Sequence, residues 1–400
     1  MDDRKPHAEI AGAGLSGLMA ATMLGQHGWS VTVHERGSDL REIGAGIGLW
    51  RNGLWALGQV GLYEDAVRVG EPVDRWEIFD EQARRLQSQW MAPDMSAGEC
   101  TILRRELHSM LANAAVAAGA DIRIDSAVVG ATRDGELVLA SGERRPATLA
   151  IGADGVNSKV RDSLGLTNRV EDARDGCGRH LVPREPGEWP RKLEEHWQGG
   201  RRVGIVPAAP DQLYVYLCCP ADDEAGCAQE DSRDTWIHSF PHLADVLGRI
   251  PDGGRWASFA NVTVSSWSAG RTALVGDAAH SMPPSLGQSA NVAFCNVVAL
   301  GQALRAYDGE LEVALKAWEA SERHITDATQ RSSDLYGKVG INWPKDLYVL
   351  RSALVWALGR SVTLQKKVNP AIDHVPNVRA VGRPATVVDT EAARPSSDLV

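Results

Sequence analysis

The residues whose types and spacing best fit a chemical task stand near the start of the chain, in AEIAGAGLSGLMAATMLGQHGWSVTVHER. Gly12, Gly14 and Gly17 fall at G-x-G-x-x-G spacing, with Leu15 and Ser16 between the last two, and Glu35 follows downstream. To position them, a short strand from Ala8 to Ala11 must lead into the glycines. A helix rich in Ala, Leu and Met must leave them and stop at His27-Gly28. A second strand, Ser30 to His34, must end at Glu35. Each glycine then has a task. Gly12 permits the tight turn, Gly14 lets the backbone approach a pyrophosphate seated on the helix N-terminus, and Gly17 lets helix and strand pack closely. Glu35 is placed to accept hydrogen bonds from the ribose hydroxyls of an adenosine. An acid there favours a free 2′-hydroxyl, hence FAD or NAD rather than NADP.

Other candidates are ambiguous on their own. Arg36 follows the acid, and Arg41, in DLREIGAGIGLWRNG, is either a phosphate or flavin contact or a solvated charge. Arg104 heads a segment with Leu103, Leu107, Leu111 and Ala114 at helical period, followed by a strand from Asp121 to Ile124. Alone, Arg104 reads as a surface charge. In TLAIGADGVNSKVRDSLGL an apolar strand, Thr148 to Ile151, runs into Gly152–Gly155, and a helix begins near Asn157 or Ser158. Asp154 therefore lies at a strand's carboxyl end, where open α/β sheets bind ligands, or else marks a plain Asp-Gly turn. Far downstream, GDAAHSMPPSLGQSAN offers Asp277 as a turn residue and Gly287-Gln288 as a helix cap.

Between about 170 and 265 the chain turns rich in Arg, Pro, Gly and Trp and then strand-like at RRVGIVPAAPDQLYVYLCCP. Strand alternation puts Tyr214 and Tyr216 on one face and Leu213, Val215 and Leu217 on the other. A hairpin turn at Pro207–Gln212 sets the strand bearing Arg202 against the one bearing Tyr214. The expected fold is α/β: a Rossmann-like dinucleotide-binding domain, FAD-binding by the family resemblance of its motifs, with an inserted antiparallel β-sheet substrate domain and C-terminal helices. The first is assigned residues 1–72, 98–172 and 266–335, and the second 73–97 and 173–265. A helical segment over 336–375 includes one amphipathic helix in LYVLRSALVWALGRSVTLQKKV, and a polar, Pro-bearing tail over 376–400 is expected to be disordered.

Composition narrows the function. With 400 residues, a formal charge of −10, 44% hydrophobic and 24% charged residues, the chain reads as an ordinary globular protein and not a general nucleic-acid binder. No apolar run approaches a membrane span of about 18 residues, and MDDRKPHAE is no signal peptide. Six cysteines without C-x-x-C or metal-like spacing fit a reducing compartment, so a cytoplasmic location and no metal are expected. Cys218 and Cys219, adjacent in a strand, point to opposite faces.

Three motifs now stand in order: GAGLSG with Glu35, GADGVNSKVR, and RTALVGDAAHSMPPSLGQSAN. From about residue 8 to 335 the chain resembles the single-component FAD-dependent aromatic hydroxylases, the group A, para-hydroxybenzoate hydroxylase-like flavoprotein monooxygenases. GWSVTVHERGSDLREIGAGIGLWRNGL, SWSAGRTALVGDAAH and ALKAWEASERHITDATQ look most like the branch acting on hydroxylated pyridine carboxylates, which includes the 2-methyl-3-hydroxypyridine-5-carboxylate oxygenase. The resemblance implies FAD diphosphate on the opening glycines, ribose on Glu35 and a cofactor contact at Arg104. It implies handling of FAD and NAD(P)H at Asp154, the ribityl chain on Asp277, Pro284 near the flavin ring, and ring contacts along Leu286, Gly287, Gln288, Ser289 and Asn291. Two positions depart from the family: Ser289 replaces the last glycine of Gly-Gln-Gly, and Asn296 replaces an acid.

The activity implied is that of a NAD(P)H- and O2-dependent monooxygenase acting through a flavin C4a-hydroperoxide on a small hydroxylated aromatic or N-heteroaromatic acid, with one oxygen inserted, or two with ring opening. A helix starting after Gly287 would aim its positive end at the flavin N1–C2=O edge. For the substrate, Tyr214 is the candidate for stacking or hydrogen bonding, Arg202 for a bidentate carboxylate contact, and Arg179 and Tyr216 for further contacts. His280 reads as a packing residue. NADH or NADPH must bind transiently, since the one dinucleotide fingerprint belongs to FAD. A monomer or homodimer is expected. A halogenase would carry G-W-x-W-x-x-P, and a disulfide reductase a second G-x-G-x-x-G with a redox cysteine pair; neither is present. A larger polycyclic or antibiotic substrate, and a flavin-bound ligand sensor without activity, remain the alternatives.

Overall fold

The computed structural model describes residues 5–40, 44–90, 99–228, 232–253, 255–341 and 343–379. Its first layer is a six-stranded sheet in the order Ser268–Ala269, Thr272–Leu274, Leu149–Gly152, His7–Ala11, Ser30–His34 and Asp121–Arg123. The four pairings from Thr272–Leu274 onward are parallel, and the Ser268–Ala269 edge is antiparallel. Helix Leu15–Gln26 is buried on nearly every side, as its continuous run of Leu, Met, Ala and Thr requires. It is sandwiched by helices Arg104–Ala117 and Ser289–Ala306. An antiparallel trio, Val128–Ala131, Glu136–Leu139 and Arg144–Pro146, flanks this layer.

The inserted sheet has seven strands: Trp256–Val264, Thr167–Pro183, Gln212–Pro220, Arg201–Ala209, Lys192–Gln198, Arg75–Phe79 and Arg85–Trp90. All neighbours are antiparallel except Lys192–Gln198 with Arg75–Phe79, which run parallel because the edge hairpin arrives from much earlier in the chain. The predicted hairpin turn is tighter than expected, since strand Arg201–Ala209 runs through Pro207 and pairs Ala209 with Gln212. One face of the sheet packs Val203, Ile205, Leu213, Val215 and Leu217 against Trp236, Phe240 and Leu247 of a helical cover. The opposite face, with Tyr214 and Tyr216, looks towards the nucleotide layer.

Strands Gly46–Leu49, Cys100–Leu103 and Glu71–Pro72 form a small sheet between the two layers. Helix Leu311–Ile341 braces both. Gln330 Nε2 donates to the carbonyls of Val262 and Ser281 at 2.8 and 2.7 Å, and Ser333 Oγ to that of Pro283 at 2.6 Å. The single amphipathic helix expected near the C-terminus is two, Tyr348–Leu358 and Val362–Val368, broken at Gly359–Ser361. Within the first, Arg351 stacks over Trp197 at 4.9 Å and bonds the carbonyl of Gly199 at 2.9 Å. No helix among the described residues is long and apolar enough to cross a membrane. Arg41 and residues 380–400 of the tail lie outside the described residues.

Candidate active site

The nucleotide end is built by the turn between strand His7–Ala11 and helix Leu15–Gln26. Gly12 has φ +100° and donates its N–H to the His34 carbonyl at 2.8 Å, tying the turn to the next strand. A Cβ on Gly17 would lie 2.0 Å from the Gly12 oxygen, so only glycine fits. Gly14 is the helix N-cap without a side-chain cap, and a Cβ there would meet nothing within 4 Å. Open space thus lies over an uncapped helix N-terminus, the arrangement that receives a phosphate through backbone N–H groups. Glu35 Oε2 accepts from the Ala13 N–H at 3.0 Å and Oε1 from the Gly37 N–H at 2.8 Å, which fixes the carboxylate beside the glycine turn. The residues present fit the diphosphate and ribose of FAD.

A cavity of about 350 Å³ runs from this end to the inserted sheet. Gly14, Leu15, Ser16, Arg104, Asp277, Pro284, Gly287 and Ser289 line it on the nucleotide side. Gly287 adopts φ +64°, a left-handed turn that passes the chain from the Pro284–Leu286 turn into helix Ser289–Ala306. Ser289 Oγ donates to Asp277 Oδ1 at 3.0 Å, so the serine that departs from the family pattern holds the candidate ribityl acid.

Other nucleotide-side candidates sit behind or away from the wall. Asn291, fully buried, accepts from the Trp50 N–H and donates to the carbonyls of Gly48 and Gly287. Gln288 Oε1 accepts from Asn52 Nδ2 at 3.0 Å. Both side chains clamp the Gly48–Asn52 segment to the Pro284–Gly287 turn rather than face the cavity. Asp154 accepts from Ser158 Oγ and the N–H groups of Lys159 and Val160, so its carboxylate caps a short helix while its neighbours Ala153 and Gly155 line the cavity. Arg36 is exposed and outside the lining. His280 is buried and accepts from Asn296 Nδ2 at 3.0 Å; burial holds it below the ordinary histidine value.

At the far end the sheet presents Arg179, Tyr214, Tyr216, Cys177, Cys218, Glu195 and Phe259. Tyr214 and Tyr216 are tilted together at 5.7 Å, and the Arg179 guanidinium lies 5.6 Å over the Phe259 ring. Burial pushes the Tyr214 phenol above its ordinary value, against the pull of Arg179, so it meets a ligand as an O–H donor. Tyr216 donates to Glu195 Oε2 at 2.8 Å, and Glu195 Oε1 accepts from Trp197 Nε1 at 2.6 Å and Tyr336 at 3.2 Å. Arg202 lines the cavity too, but it is 2% exposed and its guanidinium is ion-paired with Asp175. Burial opposes the Arg202 charge; Asp175 outweighs it and moves the guanidinium up, while burial pushes the Asp175 carboxyl up against the pull of Arg202. The fork expected for a substrate carboxylate is therefore already engaged, whereas Arg179 opens into the cavity.

Sequence reasoning missed Glu195, Phe259, Trp50, Trp76, Glu99 and the pair Cys177 and Cys218. For Glu195 a signal was available: alternation in KLEEHWQ puts it on the face of Leu193 and Trp197. Glu99 lines the cavity at 2% exposure, with neither carboxylate oxygen hydrogen-bonded among the described residues and Arg51 Nε 3.9 Å away. Burial pushes it up to about 9, so it is a neutral acid near pH 7.

The model of the family described as "FAD binding domain" matches residues 6–328. A Rhodococcus erythropolis protein provisionally named as a 2-heptyl-3-hydroxy-4(1H)-quinolone synthase is 37% identical over 329 residues, 81% of this chain and 86% of its own. A 2-heptyl-3-hydroxy-4(1H)-quinolone synthase of Mycobacteroides abscessus is 34% identical over 361 residues, 89% of this chain and 95% of its own. Among solved structures, a tetrameric form of 2-methyl-3-hydroxypyridine-5-carboxylic acid oxygenase is similar at TM-score 0.81 and 33% identity, covering 93% of this chain and 99% of that one.

Proposed function

Since this chain belongs to the FAD binding domain family, among the FAD-dependent aromatic-ring monooxygenases, we propose that it hydroxylates a small, oxygen-bearing N-heteroaromatic ring at the expense of NAD(P)H and O2. The balanced reaction is ring C–H plus NAD(P)H, H⁺ and O2 giving ring C–OH, NAD(P)⁺ and water. The observation that carries the reading is the single cavity joining an uncapped helix N-terminus at Gly14 to an aromatic wall with one available guanidinium, Arg179. The relatives support the ring class, because hydroxypyridine and quinolone share an N-heteroaromatic ring carrying oxygen.

When bound, the flavin supplies two-electron acceptance and O2 activation; the chain supplies placement, polarity and a dry chamber. Gly14, Ser16 and Glu35 hold the adenosine and diphosphate end. Asp277, fixed by Ser289, takes the ribityl hydroxyls. The N-terminus of helix Ser289–Ala306 opens beside the cavity, and its positive end would favour the negative charge that a bound flavin gathers on reduction. Phe259, Trp50, Trp76 and Leu286 keep water from the reacting atoms. Tyr214 donates a hydrogen bond to the substrate's ring oxygen and Arg179 takes its negative charge, holding the ring for attack. An electron-rich ring is required because the oxygen delivered is electrophilic.

The test is a substrate screen with FAD-loaded protein, following NADH and NADPH oxidation, O2 uptake and product mass. Hydroxypyridine carboxylates and 4-quinolones, with and without a 2-alkyl chain, should stimulate turnover above hydroxybenzoates and yield a product heavier by one oxygen. Two added oxygens would move the reading to ring opening. No stimulation by any ring would leave a flavin-bound sensor.

A further inference from the structure

The chamber contains two nucleophilic groups that the proposed reaction does not use. Cys177 and Cys218 are directly opposed on antiparallel neighbours, in the register Gly176↔Cys219, Cys177↔Cys218, Gly178↔Leu217. Opposed residues in such a ladder have Cα atoms about 4.5–5.5 Å apart, inside the range of about 4.4–6.8 Å that a disulfide spans. Both side chains point to the cavity face and line it, and with Phe259 they form a small cluster of their own under Tyr216. Two guanidiniums flank them: Arg179 follows two residues along the same strand face, and Arg202 is the register partner of Cys218 on the next strand. Burial ordinarily makes a thiol inert. Here it raises Cys177, whose thiol donates to the Gly178 carbonyl at 3.0 Å, but the facing Cys218 thiol and the charges of Arg179 and Arg202 outweigh burial, so the Cys177 thiol falls below its ordinary value. The facing Cys177 thiol, then burial, moves Cys218 up.

A second thiol pair provides an internal contrast. Cys219 and Cys227 sit with their sulfurs 3.6 Å apart on the other side of the sheet, away from the cavity. Burial first, then the neighbouring thiol for Cys219, pushes both up. Proximity alone would favour this pair; thiolate character and access to the chamber favour the other.

We propose that Cys177 and Cys218 are a peroxide-sensing dithiol in the wall of the oxygenation chamber, closing to a disulfide when hydrogen peroxide forms there. The source of peroxide rests on the monooxygenase reading: turnover without a ring to oxidise passes two electrons from NAD(P)H to O2 and releases H2O2 inside the cavity. The Cys177 thiolate attacks one peroxide oxygen, the O–O bond breaks, and hydroxide leaves. The Cys218 thiol then attacks the sulfenic sulfur, the S–O bond breaks, and water leaves. Two thiols lose two electrons and two protons, and H2O2 becomes two waters. The link remodels the wall beneath Tyr216 and Phe259 and halts unproductive oxidation until a thiol reductant reopens it.

The sequence makes the test clean. Cleavage after arginine releases Cys177 in residues 175–179 and Cys218, Cys219 and Cys227 together in residues 203–233. Reduced, FAD-loaded protein is treated with reagent H2O2 without NAD(P)H, alkylated, cleaved and weighed. The expected product is the 175–179 peptide joined to 203–233, released by dithiothreitol. A link confined within 203–233, a Cys177 sulfinic acid without any link, or intact thiols would each overturn the proposal. In Cys177→Ser the rate of thiol loss should fall at least about tenfold, while Cys227→Ser should leave it unchanged. Should Cys177→Ser not fold, Cys218→Ser serves, with Cys177 then stopping at a sulfenic acid trapped by dimedone. A second arm replaces reagent peroxide by NADH and air, with and without catalase. A link formed by reagent peroxide but not by NADH keeps the dithiol and counts against the monooxygenase reading alone.

Discussion

Tyr214 lies against the backbone of Gly46, so closely that a Cβ at position 46 would stand 2.7 Å from the ring Cδ1 and 2.9 Å from the Tyr214 Cβ. This is where the inserted sheet rests on the small sheet carried by the nucleotide layer, and it sets how far the ring of Tyr214 stands from the flavin side. Gly46→Ala must displace the tyrosine or separate the layers. Overpacking of this kind costs about 1–3 kcal/mol. We expect a lowered melting temperature and a fall in substrate-stimulated turnover larger than any fall in flavin content. Unchanged turnover with Gly46→Ala would show that the contact does not position the tyrosine.

Glu35 has one carboxylate oxygen on the Ala13 N–H and the other on the Gly37 N–H, which fixes it beside the glycine turn where the proposed site takes the ribose. Glu35→Gln keeps the shape but replaces one acceptor by a donor facing an N–H. Loss of charge-assisted bonds of about 1.5–3 kcal/mol predicts FAD binding weaker by roughly 10- to 100-fold. Flavin fluorescence quenching on titration of the apoprotein measures it. An affinity within twofold of the parent would remove Glu35 from the adenosine site.

Arg179 and Arg202 should separate substrate binding from stability. Arg179→Gln removes the guanidinium that opens into the cavity, and the KM for an anionic ring should rise about 10- to 100-fold with little change in melting temperature. Arg202→Ala strands the buried Asp175 carboxylate, a loss of about 3–5 kcal/mol in stability. If instead Arg202→Gln raised KM at full stability and Arg179→Gln did not, the two roles would be exchanged.

The nucleotide layer was legible because its signals are local. GAGLSG, the helix after it and Glu35 lie on consecutive elements, and the observed strands His7–Ala11 and Ser30–His34 match the expected ones within a residue. The shared face of Tyr214 and Tyr216 was equally local, following from a period of two. What escaped depends on long-range pairing. Asp175 meets Arg202 only because strand Gln212–Pro220 lies between their two strands, and nothing near either residue announces the partner. The parallel docking of Arg75–Phe79, which brings Trp76 to the cavity, likewise joins segments more than a hundred residues apart. Gln288 and Asn291 were placed by motif in the flavin site, but a motif does not say which side chains face a ligand and which clamp the loop behind it.

Glu99 makes stability depend on pH in a direction opposite to most carboxyls. Its folded-state value is pushed up to about 9 by burial, while in the unfolded chain it titrates near the ordinary glutamate value of about 4.3. Below that value the acid is protonated in both states and carries no penalty. As pH rises above it, the unfolded chain binds fewer protons than the folded one, so the unfolded state gains and stability falls progressively until about pH 9, where the folded form ionises too. Glu99→Gln is neutral and similar in shape, and it removes this linkage. Melting curves of the two proteins should therefore run closest at about pH 4 and below and diverge steadily towards pH 9, with Glu99→Gln the more stable on the alkaline side. A gap that is constant from pH 5 to 9 would mean that the carboxyl is ionised in the folded protein, held by Arg51 across their 3.9 Å separation.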